Sequence, residues 1–372
     1  MKPQILDYTQ ALELQTANAT TQIISHLDLY IDELFDIEYP AKKDSKTTQE
    51  VAAYQQQEVG ENPNAWGAWV YYPWLNICLQ IPPKNELRML RTSRNRNLVT
   101  ADEQAKLYDS TIFIAGMSVG SNIVEAMVAS GIGSRFILAD MDIIETSNLN
   151  RIRSPLHHIG LHKVEAISRK VWELDPYIEI VQLTDGVNAE NLETIFEDEA
   201  VTIVVDEMDN LAMKIAIREK AKQKSLPVIM AADDGDDSLV DIERYDLNPE
   251  LELFSGLIPE GVLARIKEGN IGRQELGAMI GKYFVCADHI PLRMFESVAE
   301  VGKTLPSWPQ LGGAAALSGV ALAYAAKKII LGQTLREGRT LVSLDEKLTT
   351  PNPEDQAKLE MFKKMVNGDG NG

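Results

Sequence analysis

At 372 residues the chain has room for one large domain, a smaller one and an ample core. A formal net charge of −19 argues against nucleic acid or an anionic membrane as the main partner, and 45% hydrophobic with 24% charged residues is ordinary for a globular protein. The two cysteines, Cys78 and Cys286, lie far apart and give neither a disulfide framework nor a paired Cys-x-x-Cys zinc site, so no zinc is expected.

Residues 1–38 read as helical, with Leu12, Leu14, Ile23, Ile24, Leu27, Leu29, Ile31 and Leu34 at mixed three- and four-residue spacing. Residues 41–64 are polar and read as a loop with at most one helical turn. Trp66 to Ile81 is aromatic and β-branched with Pro73 inside it, which predicts an edge hairpin; a ligand-stacking aromatic box is the alternative. Pro82-Pro83 close this unit, so 1–93 is expected to be a smaller α+β N-terminal domain. The arginines of 87–98 suit a solvated helix face. Thr100 with Glu103 predicts a helix start.

From Thr111 the pattern changes. Ile112-Phe113-Ile114-Ala115 is short and apolar, as a buried parallel strand is. Gly116-Met117-Ser118-Val119-Gly120 reads as a turn, and Ile123, Val124, Met127 and Val128 share one face of a following helix. Phe136 to Ala139 is the next strand and ends on Asp140. A turn without side chains lets phosphate approach the backbone, and a helix N-terminus aims N–H groups at it. Asp140 follows Gly120 by about the 20 residues that separate a nucleotide-binding turn from its ribose-binding acid. The glycine pattern alone, G-x-x-x-G, equally suits a plain tight turn.

Further strands at 178–181, 201–205 and 227–230 alternate with helices at 163–174 and 213–224. This predicts an α/β fold with a doubly wound, Rossmann-like, mostly parallel sheet. Leu239 to Tyr245 alternates as an antiparallel strand would, so the sheet is expected to become mixed. Asp233 to Asp237 reads as a solvated acidic loop. Residues 246–310 lack clean periodicity; Gly312 to Leu331 reads as a helix, 341–344 as a last strand, and 346–372 as a polar tail with one short amphipathic helix. No apolar h-region follows MKPQILDYTQ, and Ala314 to Ala326 gives only 13 uncharged residues, so a cytoplasmic protein without a membrane span is expected.

Ser147-Asn148-Leu149-Asn150-Arg151 follows the acid, then Gly160 and Lys163, then Asp206-Glu207-Met208-Asp209-Asn210. With the LADMD run at 138–142, these motifs resemble the ThiF/MoeB adenylyltransferases, the family that includes the adenylation domains of ubiquitin-activating enzymes. The resemblance spans roughly Arg94 to the helix before Gly332 and implies an ATP-binding adenylation domain over 94–345, a zinc-less variant with an N-terminal accessory domain. It implies that Gly116, Ser118, Gly120, Asp140, Asp142, Asn148, Arg151 and Lys163 bind the nucleotide. Asp140 would take the ribose, Asn148 and Arg151 the phosphates, and Lys163 the β/γ side; Asp209, helped by Asp206 or a water, would hold Mg²⁺. Arg94 to Leu98 resembles an arm of that family, with Arg96 reaching the ATP of a partner across a homodimer. The implied reaction is adenylation of a carboxylate, on a small ubiquitin-like or sulfur-carrier protein, a peptide or a small molecule, with release of pyrophosphate. Arg96, Arg151, Lys163 and Asp209 would be its catalytic residues.

Plainer assignments exist for each. Asp140 would cap a turn, Arg151 would pair with Glu145 or Asp142, Lys163 would begin a solvated helix face, and Asp209 would cap the next helix. Cys286 lies where a thioester-forming relative places its thiol, but its flanks read as core. The competing functions are an NAD(P)-linked oxidoreductase and a non-catalytic nucleotide-binding module.

Overall fold

The computed structural model describes residues 1–197, 200–269, 271–272, 279, 283, 290–298, 300–350 and 353–366. Cys286 lies outside them. The chain forms two compact units, Met1–Ala105 with Ala129–Gly131 and Arg169–Glu179, and Lys106–Val128 with Ile132–Ser168 and Ile180–Gly372.

In the first unit β1 (Gln4–Leu6), β2 (Gln22–Ile24), β3 (Ala68–Tyr72) and β4 (Ile77–Ile81) form a sheet in the order β1-β3-β4-β2. The expected continuous helix over 1–38 is therefore divided. Asp7 and Gln10 form a capping box that starts α1 (Tyr8–Ala17), and β2 intervenes before α2 (Leu27–Glu38). The expected loop at 41–64 holds a 12-residue helix, α3 (Thr48–Val59), because Thr47 and Glu50 cap each other's backbone N–H. The β3–β4 hairpin is the centre of the sheet rather than its edge, with Pro73 in the turn where no ladder donor is needed. Its aromatics are core, not a ligand box: Trp69 packs on Ala11 and Cys78, and Trp66 on α2 and α3. Burial pushes the Cys78 thiol up to about 11, so it is inert as a nucleophile at neutral pH. α4 (Lys84–Thr92) follows the prolines, and the Thr100–Glu103 capping box starts α5 (Ala101–Tyr108).

In the second unit β5 (Thr111–Ala115), β6 (Arg135–Ala139), β7 (Glu179–Leu183), β8 (Val201–Asp206), β9 (Val228–Asp234), β10 (Asp237–Glu243) and β11 (Gly338–Val342) order as β11-β10-β9-β8-β5-β6-β7. β5 pairs in parallel with β6 and β8, and β8 with β9, while β10 is antiparallel to β9 and β11. This is the doubly wound sheet that becomes mixed. All five residues of β5 are buried, as a strand covered on both faces requires. The chain leaves β5 to one side through α6 (Val119–Ala129) and β6. It returns on the other side at β8, after α7 (Lys163–Leu174), β7 and α8 (Ala189–Glu197). A crevice opens at the carboxyl ends of β5 and β8, the switch point of such sheets.

The helix at Gly312–Ile330 extends beyond the 13 uncharged residues to 19, with a mean hydropathy of 1.3 over its best window, so by length and composition it would pass for a membrane span. Its apolar face packs on β9 and β10. Pro353–Val366 forms the tail helix.

A buried ionic cluster ties β8, β10 and α9 (Leu211–Gln223) together. Arg218 is fully buried; its guanidinium pairs with Asp206 and donates from Nε to Glu243 Oε2 at 2.6 Å. Glu243 Oε1 accepts from the Tyr245 hydroxyl and from the Phe254 N–H at 2.6 Å, and the Phe254 ring lies 4.0 Å from the Arg218 guanidinium carbon. Burial pushes the Asp206 carboxyl up, but Lys214 and Arg218 outweigh it and hold it below the ordinary carboxylate value. Removing one member of such a cluster leaves the others charged and unpaired. Arg218→Met is expected to lower stability by about 3–5 kcal/mol in urea unfolding; an unchanged midpoint and slope would show that the cluster is dispensable.

The acidic run is not the solvated loop expected. Asp233 and Asp234 end β9 and Asp237 starts β10, so the chain turns between them as a hairpin. Asp234 is fully buried and neither of its carboxyl oxygens has a partner among the described residues. Burial, reinforced by the Asp237 charge, raises it to about 7. A carboxyl with a raised folded-state pKa holds its proton more tightly folded than unfolded. It therefore costs no stability below the unfolded value near pH 4, and increasingly destabilises as pH rises towards 7. Asp234→Asn, which stays neutral throughout, should gain roughly 2–4 kcal/mol on the wild type between pH 4 and pH 8. Parallel urea titrations that keep a constant gap would refute this.

Candidate nucleotide site

The crevice is a cavity of about 590 Å³, within the usual range for a small-molecule site. Of the residues singled out in the sequence, Ser118, Asp142, Asn148, Arg151, Lys163 and Asp209 all line it. They come from three connections: the turn after β5, the segment from β6 to the start of α7, and the turn after β8.

Arg151 points its Nε at Ser118 Oγ, 2.9 Å away, and its Nη1 at Asn150 Oδ1 at 3.0 Å and the Ser147 carbonyl at 3.3 Å. It does not make the expected alternative pairs with Glu145 or Asp142. Lys163 opens α7 but is no solvated face residue. It is 8% exposed, and its Nζ lies 2.7 Å from Asp142 Oδ2. Asn148 is buried, its Oδ1 accepting from the Glu145 N–H at 3.0 Å. Asp209 is exposed at the cavity and does not cap α9; Asn210 does, accepting from the Met213 N–H at 3.2 Å.

The remaining sequence candidates do not line the cavity. Gly116 has φ +95°, and a Cβ there would stand 2.3 Å from the Glu207 carbonyl oxygen, so the glycine is needed for the β5 and β8 turns to touch. A Cβ at Gly120 would meet the side chains of Ile114 at 3.2 Å and Met117 at 3.3 Å. Asp140 braces the turn, accepting from the Met117 N–H at 2.6 Å and the Asp142 N–H at 2.8 Å. Asp206, named as a helper for a metal ion, is sealed in the ionic cluster by Arg218 and Lys214 and is not free to serve as a ligand. Arg96 belongs to the first unit, where it donates to the Ile37 carbonyl at 3.3 Å.

Glu207, Lys214, Asp233 and Gln310 also line the cavity and were not anticipated. Lys214 is 8% exposed and lies 3.3 Å from Asp206. Its spacing of four from Arg218 was the available signal, since it places two cations on one helix face. Glu207 Oε1 accepts from the Ala231 N–H at 2.8 Å; burial holds its carboxyl well above the ordinary value, Lys214 opposing and Asp206 and Asp233 reinforcing. Asp233 Oδ1 accepts from the Ser318 hydroxyl at 3.0 Å, and burial lifts it to about 6 against the pull of Ser318 and Arg151. The cavity thus carries three cationic side chains and several carboxyls, a polarity that suits a polyanion held beside a second polar reactant.

Comparison with known proteins agrees. The ThiF family model matches residues 92–243. An uncharacterized protein of Mycobacterium tuberculosis (strain CDC 1551 / Oshkosh), MT1398, is 34% identical over 280 residues, 75% of this chain; the chain spans only 38% of that relative's length. The tRNA threonylcarbamoyladenosine dehydratase of Bacillus subtilis (strain 168) is 25% identical over 213 residues, 56% of this chain and 80% of its own. The crystal structure of PaaA superposes with a TM-score of 0.51 at 17% identity, covering 85% of this chain and 93% of PaaA, which is a likeness of fold. Residues 92–243, the stretch similar to the ThiF family model, run from the end of α4 to the end of β10 and hold every cavity residue named above except Gln310.

Proposed function

We propose that the protein is an ATP-dependent adenylyltransferase that joins a carboxylate to the α-phosphate of ATP and releases pyrophosphate. The observation that carries this reading is the convergence of Arg151, Lys163 and Asp209 on one cavity at the switch point of the sheet. In adenylation a carboxylate oxygen attacks the α-phosphorus while the bond to the β-phosphate oxygen breaks. The protein supplies no nucleophile; it neutralises spreading charge and holds the reactants in line. Arg151, held at Ser118, would face the phosphates. Lys163 would exchange Asp142, whose side chain is 64% exposed and free to swing, for the β/γ-phosphates. Mg²⁺ binds through one or two carboxylates plus phosphate oxygens, so Asp209, exposed at the cavity, fits as its protein ligand; bound there it would neutralise phosphate charge. Arg96 would serve the ATP of a second copy in a homodimer. The acceptor would be the C-terminal carboxylate of a small ubiquitin-like or sulfur-carrier protein or of a peptide. A nicotinamide cofactor would leave Arg151, Lys163 and Asp209 without work, which disfavours an oxidoreductase.

Lys163→Ala and Asp209→Ala are each expected to cut acceptor-dependent pyrophosphate exchange about 10²–10³-fold while leaving the fold intact by circular dichroism. Exchange at wild-type rate in both would remove the adenylation reading. If Arg96 acts across a dimer, mixing Arg96→Ala with Lys163→Ala restores part of the activity that each lacks alone; a mixture as inactive as its components would place Arg96 elsewhere.

A further inference from the structure

Asn122 has no place in the chemistry above and is costly where it stands. It lies inside α6 at 4% exposure, flanked by the buried Ser121 and Ile123. Its Oδ1 is buried without a partner among the described residues. A buried amide whose oxygen has no partner is less favourable than an apolar residue of like size. What it does make is one bond, from Nδ2 to the main-chain carbonyl of Arg151 at 2.9 Å. The Arg151 guanidinium is then aimed by Ser118, Ser147 and Asn150.

The opposite side of that loop is held as closely. Asn150 Nδ2 donates to the Gln310 carbonyl at 2.8 Å, and a Cβ at Gly312 would stand 2.1 Å from the Asn150 carbonyl oxygen. The Gly312–Ile330 helix also lies against α6 itself, since a Cβ at Gly319 would come within 2.7 Å of the Asn122 carbonyl oxygen. The backbone of residues 150–151 is therefore gripped between α6 and the start of a second helix. Each contact is a hydrogen bond to main chain or a glycine that lets backbones touch.

We infer that Asn122 is a positioning residue for Arg151: it fixes the main chain from which the guanidinium reaches the triphosphate. The inference rests on the ATP-binding reading above. Loss of one such hydrogen bond is expected to weaken binding of the non-hydrolysable α,β-methylene-ATP about five- to tenfold in Asn122→Ala, by calorimetry in the presence of Mg²⁺. Adenosine, which has no phosphate for Arg151 to meet, should bind both proteins equally. The deciding measurement is a double-mutant cycle with Arg151→Ala. If Asn122 acts through Arg151, Asn122→Ala costs little further affinity once Arg151 is gone. Independent, multiplicative losses, or equal loss of adenosine binding, would overturn the inference and leave Asn122 a packing residue. Should Asn122→Ala fail to fold, Asn122→Leu, which keeps about the same volume and has no donor, enters the same cycle. Wild-type protein that binds no nucleotide would refute the ATP reading itself, a result separate from either outcome of the cycle.

Discussion

The carboxylate of Asp206 is where the structure commits itself. It sits at the carboxyl end of β8 with no access to solvent, and it is ionised only because Arg218 and Lys214 stand against it. A charge in that position demands compensation within a few ångströms, since the surroundings supply no water to share the load. Meeting the demand fixes α9 on β8 through two cations one turn apart and recruits Glu243 from β10 through Arg218. It also leaves Lys214 on the wall of the cavity. The crevice and the ionic cluster are two faces of one arrangement.

The second constraint is distance between backbones. Gly116, Gly312 and Gly319 each stand where a methyl group would collide with a neighbouring main-chain oxygen at 2.3, 2.1 and 2.7 Å, respectively. The three contacts bring the β5 turn onto the β8 turn, the 150–151 loop onto the last long helix, and that helix onto α6. Side chains from these connections therefore meet over one small volume. Preorganisation of this kind matters for charge-neutralising catalysis, because donors already in place need not be reoriented as charge develops.

The electrostatic character of the cavity follows from what surrounds it rather than from the chain's net charge. The protein carries −19 overall, yet Arg151, Lys163 and Lys214 converge on the site. Opposite them Glu207 and Asp233 are held above ordinary carboxyl values by burial. A neutral or partly neutral acid tolerates the approach of phosphate where an ionised one repels it, so burial moderates the penalty of placing carboxyls beside a polyanion site.

Much of this was written in local pattern. Apolar runs of strand length alternating with amphipathic helices determined the doubly wound sheet, and the capping signal at Thr100 placed a helix start, whereas the cap read at Asp209 is supplied one residue later by Asn210. The order of Asn148, Arg151, Lys163 and Asp209 along the chain, through its resemblance to the ThiF/MoeB pattern, marked a candidate nucleotide site, and these four residues line one cavity. Other signals were present but outweighed: Thr47 and Glu50 spell a capping box inside a segment whose polarity reads as loop, and Asp7 with Gln10 spell another. What the sequence could not determine were facts that depend on neighbours distant in the chain. Tertiary structure alone decided that β3 and β4 are central, that Asp233 and Asp234 are buried, that Asp206 is spent on Arg218, and that Asn122 grips the carbonyl of Arg151. The reason is physical: periodicity reports which face of an element is apolar, whereas the protonation and partner of a polar group depend on which other element closes over it.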